Sequence, residues 1–216
     1  MCKSERWLVV GLGNPGRRYV GNRHNVGFHV IEAIAAGARG LTRWREVERL
    51  KGRLASLDDL GGHPALLLEP LTYMNLSGES VLPTAEEHGI PVERIIAIHD
   101  DLDLPPGRLK LKRGGGDGGH KGIRSMTELL RDGGYVRLRI GVGRPIDPDV
   151  EVVDFVLSDF DVDERETIEE AVTRAAQAVQ TVIASGLKEA MNRFNRAPKT
   201  PPTEPADPAQ NTGSTG

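Results

Sequence analysis

The chain has a single cysteine, Cys2, among its 216 residues. One thiol cannot form an internal disulfide, and it cannot build a cysteine-rich zinc site. Apolar runs stay well short of the roughly 20 residues that span a membrane. The first ten residues, "MCKSERWLVV", lack the apolar segment of a secretory signal. These absences predict a soluble, cytoplasmic protein.

The sequence also lacks a strong charge of either sign, with a formal net charge of −3. Its overall charge therefore gives no attraction to nucleic acid, and any such site needs a local basic patch. The hydrophobic fraction of 38% and the charged fraction of 27% are ordinary for a globular protein. The length suits one domain with a substantial core.

Short apolar segments alternate with helical patterns along the chain. Apolar or alternating runs predict strands over residues 7–11, 64–71, 94–100, 107–113 and 135–143. Apolar residues at helical spacing predict helices over residues 25–36, 80–88, 120–130, 163–183 and 187–194. This order predicts a single α/β domain over residues 1–196, with a mixed central sheet and helices on both faces. Residues 197–216, rich in Pro, Ser, Thr and Gly, predict a disordered tail.

The segment "GLGNPG" contains Gly-x-Gly-x-x-Gly at Gly11, Gly13 and Gly16. In a dinucleotide site the third glycine opens a helix, and an acidic residue ends a strand about 20 residues later. Here Pro15 precedes the third glycine, and the nearest acid, Glu32, lies inside a helical pattern. The pattern therefore favours a tight turn after a buried strand over a dinucleotide site.

Polar side chains follow three of the predicted strands. Asn14 follows the first, Asn75 the second, and Asp100 comes after the apolar residues Ile95–Ile98 of the third. His24 lies in the loop between Asn14 and the first helix. Ligands of an open α/β sheet collect beyond the carboxyl ends of its strands. An imidazole can take a proton from water near neutral pH, a carboxylate can orient that imidazole, and amides can hold a carbonyl or an oxyanion. The set predicts hydrolysis by an activated water.

Simpler interpretations remain open for these residues. Asn14 and Asn75 are of a type common in turns and helix caps. The segment "HDDLDLPPG" is consistent with a plain polar turn, or with a divalent-metal cluster of Asp100, Asp101 and Asp103. The His–carboxylate spacings typical of metalloenzymes occur nowhere else in the sequence.

Two predicted strands carry basic residues on one face. Arg108, Lys110 and Lys112 alternate with leucines in "GRLKLKR", and Arg137 and Arg139 share a face in "YVRLRIG". For basic residues alone, a solvated sheet face is the simpler interpretation. However, the glycine-rich residues 114–122 open a helix whose N-terminal amides can bind phosphate, and so many glycines allow a mobile flap. If the two strands are neighbours, five cations lie together and predict an anionic substrate such as RNA.

Four segments, in order, resemble bacterial peptidyl-tRNA hydrolases. They are "GLGNPGRRYVGNRHNVGF", "TYMNLSGESV", "IHDDLDLPPGRLKLKRGGGDGGHKGIRS" and "RLRIGVGRP", within a resemblance that runs over residues 7–194. The resemblance implies an enzyme that hydrolyses the ester between a peptide, or an N-blocked aminoacyl group, and tRNA, and so recycles tRNA released during translation. It also implies that family's α/β fold and no metal or organic cofactor. We further expect a monomer with no membrane association and no obligate protein partner.

The resemblance implies a role for each matching residue. His24 is the expected general base, Asp100 supports it, and Asn14 reads the first peptide amide. The other implied binding residues are Tyr19, Tyr73, Met74 and Asn75 in the substrate channel, His120 and Lys121 beside it, and Lys110, Lys112 and Arg139 at the phosphate of the tRNA acceptor end.

The chain departs from the family pattern at one of these positions. Many members read "GHNG" where this chain has Lys121 between His120 and Gly122. An ammonium group cannot accept a hydrogen bond as an amide oxygen does. Two other functions remain as alternatives: a non-catalytic RNA-binding relative with the same fold, and a metal-dependent phosphohydrolase built on "HDDLD".

Overall fold

A computed structural model of the chain describes residues 5–38, 40 and 42–196. The strands within these ranges are β1 (Trp7–Gly11), β2 (Arg45–Val47), β3 (Gly52–Leu60), β4 (His63–Pro70), β5 (Ile95–Asp101), β6 (Leu109–Arg113) and β7 (Val136–Gly141). The α-helices are α1 (Val26–Gly37), α2 (Gly78–Glu87), α3 (Lys121–Leu130), α4 (Val152–Val156), α5 (Arg165–Ser185) and α6 (Leu187–Phe194). The tail expected over 197–216 lies outside the described residues, and the domain boundary at 196 stays a prediction.

The strands form one mixed sheet in the order β2-β3-β4-β1-β5-β7-β6. Strands β4, β1, β5 and β7 run parallel to one another, whereas β2, β3 and β6 pair antiparallel with their neighbours. The predicted mixed sheet is confirmed. Strands β2 and β3 were not predicted, because β3 carries polar and charged residues among its apolar ones and gains its strand hydrogen bonds only by pairing with β4.

Helices cover both faces of the sheet, as predicted. Val9 and Leu67 belong to the apolar cluster that α1, α5 and α6 share with the sheet. Leu8 and Leu66 point to the other face, where α2 and α3 pack. Because successive side chains of a strand point to opposite faces of the sheet, each of these strands contributes apolar side chains to both cores. No helix in the described ranges is both long and apolar enough to cross a bilayer.

The main chain of helix α1 lies directly against the main chains of β1 and β5. A Cβ atom on Gly27 would lie 2.5 Å from the carbonyl oxygen of Ile98, and one on Gly11 would lie 2.4 Å from the carbonyl oxygen of Gly27. Only glycine permits this approach. As a result, the 3₁₀ turn Arg23–Asn25, which leads directly into α1, lies at the carboxyl ends of these two strands.

The segment after the glycine motif is a turn. Gly16 has φ 109°, in the region that favours glycine, and a short 3₁₀ segment, Arg17–Tyr19, follows it. No α-helix opens there, which agrees with the turn interpretation of the glycine motif.

Candidate active site

A crevice of about 540 Å³ opens where β1, β4 and β5 end. Ligands of open α/β sheets collect at this edge. Residues implied by the sequence line it: Asn14, Tyr19, His24, Tyr73, Met74, Asn75, Asp100, His120 and Lys121. The predicted phosphate-binding residues Lys110, Lys112 and Arg139 lie outside this lining.

His24 and Asp100 form a hydrogen-bonded pair in the crevice. Nδ1 of His24 lies 2.7 Å from Oδ1 of Asp100, whose side chain is 3% exposed. Because an ionised carboxylate only accepts, Nδ1 carries the proton and donates it. Nε2 of His24 makes no hydrogen bond to the described residues and keeps its lone pair for a proton from water.

His120 donates a second hydrogen bond to the same carboxylate oxygen. Its Nδ1 caps α3 by accepting from the main-chain N–H groups of Gly122 at 3.2 Å and Ile123 at 3.3 Å. An imidazole nitrogen that accepts hydrogen bonds carries no proton, so the proton of neutral His120 is on Nε2. That nitrogen lies 3.0 Å from Oδ1 of Asp100. Asp100 therefore joins the turn Arg23–Asn25 to the start of α3.

The same three side chains bring together atoms of the types that bind metals. One potential ligand atom from each of His24, Asp100 and His120 lies within 4.8 Å of the others. However, a protonated Nε2 of His120 has no lone pair for a cation. Within the described ranges, Asp101 and Asp103 are not members of this group. The hydrogen bonds therefore favour proton transfer over a metal centre.

The environment of Asp100 keeps its carboxyl ionised. Burial alone would raise its pKa, but the imidazoles of His24 and His120 outweigh burial and lower the pKa well below the usual value. A third imidazole, that of His99, has its ring centre 4.7 Å from that of His120. Burial lowers the pKa of His99 well below its usual value, so this imidazole stays neutral.

Asn14 is fixed so that its amide nitrogen is left for a ligand. Its Oδ1 accepts from the main-chain N–H of Met74 at 2.8 Å, and its Nδ2 makes no hydrogen bond within the described residues. The side chain of Asn25 accepts from the main-chain N–H of Asn14 at 2.9 Å and donates to its carbonyl at 3.0 Å. Sequence reasoning did not single out Asn25, although it follows His24 directly; only the fold brings it against Asn14.

The remaining crevice residues differ in exposure. Tyr73 is 56% exposed and Asn75 is exposed beside it, whereas Met74 is buried and forms the floor. Tyr19 is half-buried and accepts a hydrogen bond from Arg18. A further lining residue, the exposed Lys121, begins α3.

One wall of the crevice comes from α4, which the sequence analysis missed. Val152, Val153 and Val156 line it, and the first two are exposed although apolar. The apolar spacing of "EVVDFVL" is the signal that marks this short helix, but five residues are too few for a clear helical period. The wall is suited to apolar parts of a ligand.

The two basic strands are neighbours, as the sequence hypothesis required. Lys110 lies opposite Arg139 and Lys112 opposite Arg137. Arg137, however, is 1% exposed and donates to the carbonyl of Gly116 at 2.7 Å. It therefore holds the glycine-rich loop and does not face solvent. The sequence analysis expected five cations to lie together and bind an anion. That expectation is wrong for Arg137, because the glycine-rich loop covers its side chain.

Two more of these cations have partners inside the protein. Arg139 donates to the carboxylate of Asp101, which offsets part of its charge. Arg108 donates to the main-chain carbonyl of Asn195, beyond α6. Lys110 remains exposed on β6.

Comparison with known proteins shows which family the chain is similar to. The family model described as peptidyl-tRNA hydrolase matches residues 8–202. A peptidyl-tRNA hydrolase of Frankia casuarinae is 44% identical over 195 residues, covering 87% of this chain and 93% of the relative. One of Moorella thermoacetica is 45% identical over 188 residues, covering 87% and 96%. The crystal structure of peptidyl-tRNA hydrolase from Acinetobacter baumannii superposes with a TM-score of 0.82 at 36% identity, covering 90% of this chain and 97% of that one.

Proposed function

The chain belongs to the peptidyl-tRNA hydrolase family, and we propose that it hydrolyses the ester between a peptide and tRNA with a water molecule that His24 activates. The observation that carries this mechanism is the 2.7 Å contact between Nδ1 of His24 and Oδ1 of Asp100. It leaves Nε2 unprotonated toward a crevice that is lined by side-chain amides.

Each proposed step uses a group already placed. Nε2 of His24 takes a proton from water as the oxygen attacks the ester carbonyl, and Asp100 stabilises the imidazolium that forms. The amide nitrogen of Asn14 donates to the first peptide carbonyl or to the developing oxyanion. When the tetrahedral intermediate collapses, His24 returns the proton to the ribose oxygen of tRNA. The products are a peptide acid and free tRNA.

We assign the other predicted residues to substrate binding. Tyr19, Tyr73 and Asn75 border the crevice where a peptide enters. The ammonium of Lys121 can donate to a phosphate or carbonyl oxygen at the start of α3, where main-chain N–H groups favour negative charge. Lys110 and Lys112 attract the acceptor end of tRNA, together with Arg139 to the extent that Asp101 leaves its charge uncompensated.

We further propose that the protein works as a cytoplasmic monomer without a protein partner. Described residues of one chain supply the base, its carboxylate and the amides, so the mechanism needs no second copy. Sedimentation at assay concentration, with and without tRNA, measures this directly. A dimer as the active species would contradict it.

The test of the catalytic proposal is the release of a labelled N-acetyl-aminoacyl group from tRNA in the presence of EDTA. We expect wild type to release it, and we expect His24→Ala to lose about 10²- to 10⁴-fold in kcat while still binding tRNA. Near-wild-type turnover by His24→Ala would overturn the assignment of the base. Folded wild-type protein that binds tRNA without cleaving it would support the RNA-binding relative. Activity that only divalent ions restore would support the metal enzyme.

A further inference from the structure

Arg23 is buried beside His24, and the proposed mechanism does not use it. The side chain is 3% exposed. The carbon at the centre of its guanidinium lies 4.4 Å from the centre of the Phe155 ring and 5.2 Å from that of Phe160. A charge in such surroundings is costly unless it is paired and hydrogen-bonded. Its partners therefore indicate what the charge holds in place.

All of those partners lie between α4 and α5. Nη1 of Arg23 donates to Oγ of Ser158 at 2.8 Å and to the main-chain oxygen of Asp159. Nη2 donates to the carboxylate of Glu164 and, at 3.4 Å, to that of Asp161. The carboxylate of Glu164 also accepts from the main-chain N–H of Asp161 at 2.9 Å. The main-chain N–H of Arg23 adds a hydrogen bond to the carbonyl of Ser158 at 3.0 Å.

The three residues of the turn Arg23–Asn25, here called the catalytic turn, are thus tied to three different parts of the fold. Arg23 binds the segment that follows α4, His24 binds Asp100 on β5, and Asn25 binds the loop after β1. Helix α4 supplies the apolar wall of the crevice. The guanidinium is therefore a direct link between that wall and the base.

We propose that Arg23 is a positioning residue for the hydrolysis. By tying the segment after α4 to the catalytic turn, it fixes Nε2 of His24 relative to the apolar wall, so that a peptide lying along α4 presents its ester carbonyl to the activated water. This role rests on the proposed function of His24 as the base. A displacement of about 1 Å at a reacting group can cost about 100-fold in rate.

The test compares two replacements of the arginine. Arg23→Met keeps a long side chain against the two phenylalanines but removes every side-chain donor, whereas Arg23→Lys keeps the charge without the two-pronged geometry. We expect Arg23→Met to lower kcat by about 10- to 100-fold with KM nearly unchanged. We expect Arg23→Lys to recover part of the loss. The downfield NMR signal of the His24 Nδ1 proton should broaden or shift in step with kcat.

The matched control is Arg53→Met. Like Arg23, Arg53 packs on an aromatic ring and pairs with a carboxylate. The carbon at the centre of its guanidinium lies 4.5 Å from the centre of the Trp44 ring, and its partner is the buried carboxylate of Glu69. Arg53, however, lies on β3. We expect it to lower the free energy of unfolding without changing kcat or the His24 signal. All rates are compared at a temperature where each variant is folded.

Two results would overturn the proposal: a folded Arg23→Met with wild-type kcat and an unchanged His24 signal, or a raised KM at unchanged kcat, which would mean direct substrate contact. If Arg23→Met does not fold, Glu164→Gln, which keeps a hydrogen-bond acceptor but removes the negative charge, must show the same kcat loss in weaker form. Active His24→Ala would defeat the proposed mechanism with His24 as the base, whereas inactive His24→Ala beside fully active Arg23→Met defeats only this inference.

Discussion

His24 and Asp100 meet through one nitrogen and one oxygen, 2.7 Å apart, and the two residues come from a turn and a strand separated by 76 positions. The same carboxylate oxygen also accepts from His120. One negative charge thus orients the imidazole of His24 and joins it to the beginning of α3.

Replacing Asp100 by asparagine should separate charge from geometry. An amide oxygen can still accept from Nδ1 of His24, but it cannot stabilise the imidazolium as a carboxylate does. We expect Asp100→Asn to lower kcat by about 10²- to 10⁴-fold with little change in KM, measured by release of labelled N-acetyl-aminoacyl groups. Asp103→Asn is the control from the same motif, since its carboxylate pairs with Arg144 at 2.7 Å. Equal activity of the two variants would contradict the role of Asp100.

Asn14→Asp should reduce discrimination between blocked and free aminoacyl groups. The new carboxylate can still accept from the N–H of Met74, but it offers no donor to the first peptide carbonyl. It also attracts the free ammonium group of an aminoacyl-tRNA. We expect the ratio of kcat/KM for N-acetyl-aminoacyl-tRNA to that for aminoacyl-tRNA to fall by about tenfold, the value of one hydrogen bond. An unchanged ratio would remove Asn14 from substrate recognition.

Lys110→Ala should weaken tRNA binding in a salt-dependent way. Each phosphate contact adds about 0.7–0.9 to the slope of log Kd against log salt concentration, so losing one should flatten the slope by that amount. Arg139→Ala should flatten it less, because Asp101 already offsets part of the arginine's charge. Arg45→Ala, on the opposite edge of the sheet, is the control. An unchanged slope for Lys110→Ala would place the tRNA elsewhere.

Gly27→Ala should disturb the packing that places the catalytic turn. The added Cβ would lie 2.5 Å from main-chain atoms of Ile98 and Leu12. We expect the free energy of unfolding to fall by about 1–3 kcal/mol or more, and kcat to fall as His24 shifts. Gly37→Ala in the same helix has no atom within 4 Å of its new Cβ, and it should be neutral or stabilising by up to about 1 kcal/mol. Equal melting temperatures for the two variants would contradict this packing.

Glu69 should make stability depend on pH. Burial raises its pKa from 4.5 to about 7, although the Arg53 guanidinium lowers it in part. Because this pKa is raised on folding, the stability contribution of the neutral acid is complete below about pH 4.5 and is lost as the pH rises through about 7. Glu69→Gln stays neutral throughout. Across this range wild type should therefore lose up to about 3 kcal/mol of unfolding free energy relative to Glu69→Gln in chemical denaturation. Parallel curves would contradict the shift.

The predictable part of the fold rested on local pattern. The apolar runs of β1, β4 and β5 predicted strands, because an apolar strand needs no partner to reveal its pattern. Strand β3 and helix α4 were missed, since the first is defined by pairing with β4 and the second is a single short turn against the crevice. Arg137 shows the same limit, because its alternating position predicts a solvent face and only the loop at Gly116 buries it.

By itself the sequence determined which chemical groups end each strand: Asn14 after β1, Asn75 beyond β4 and Asp100 in β5. Strand periodicity and residue type suffice for that, since both are local. Only the tertiary structure decided which nitrogen of His24 is free, that His120 shares the carboxylate of Asp100, and that Arg23 ties the turn to α4. These depend on contacts between residues as much as 141 positions apart, which the sheet order and the close approach of α1 create and no local pattern records.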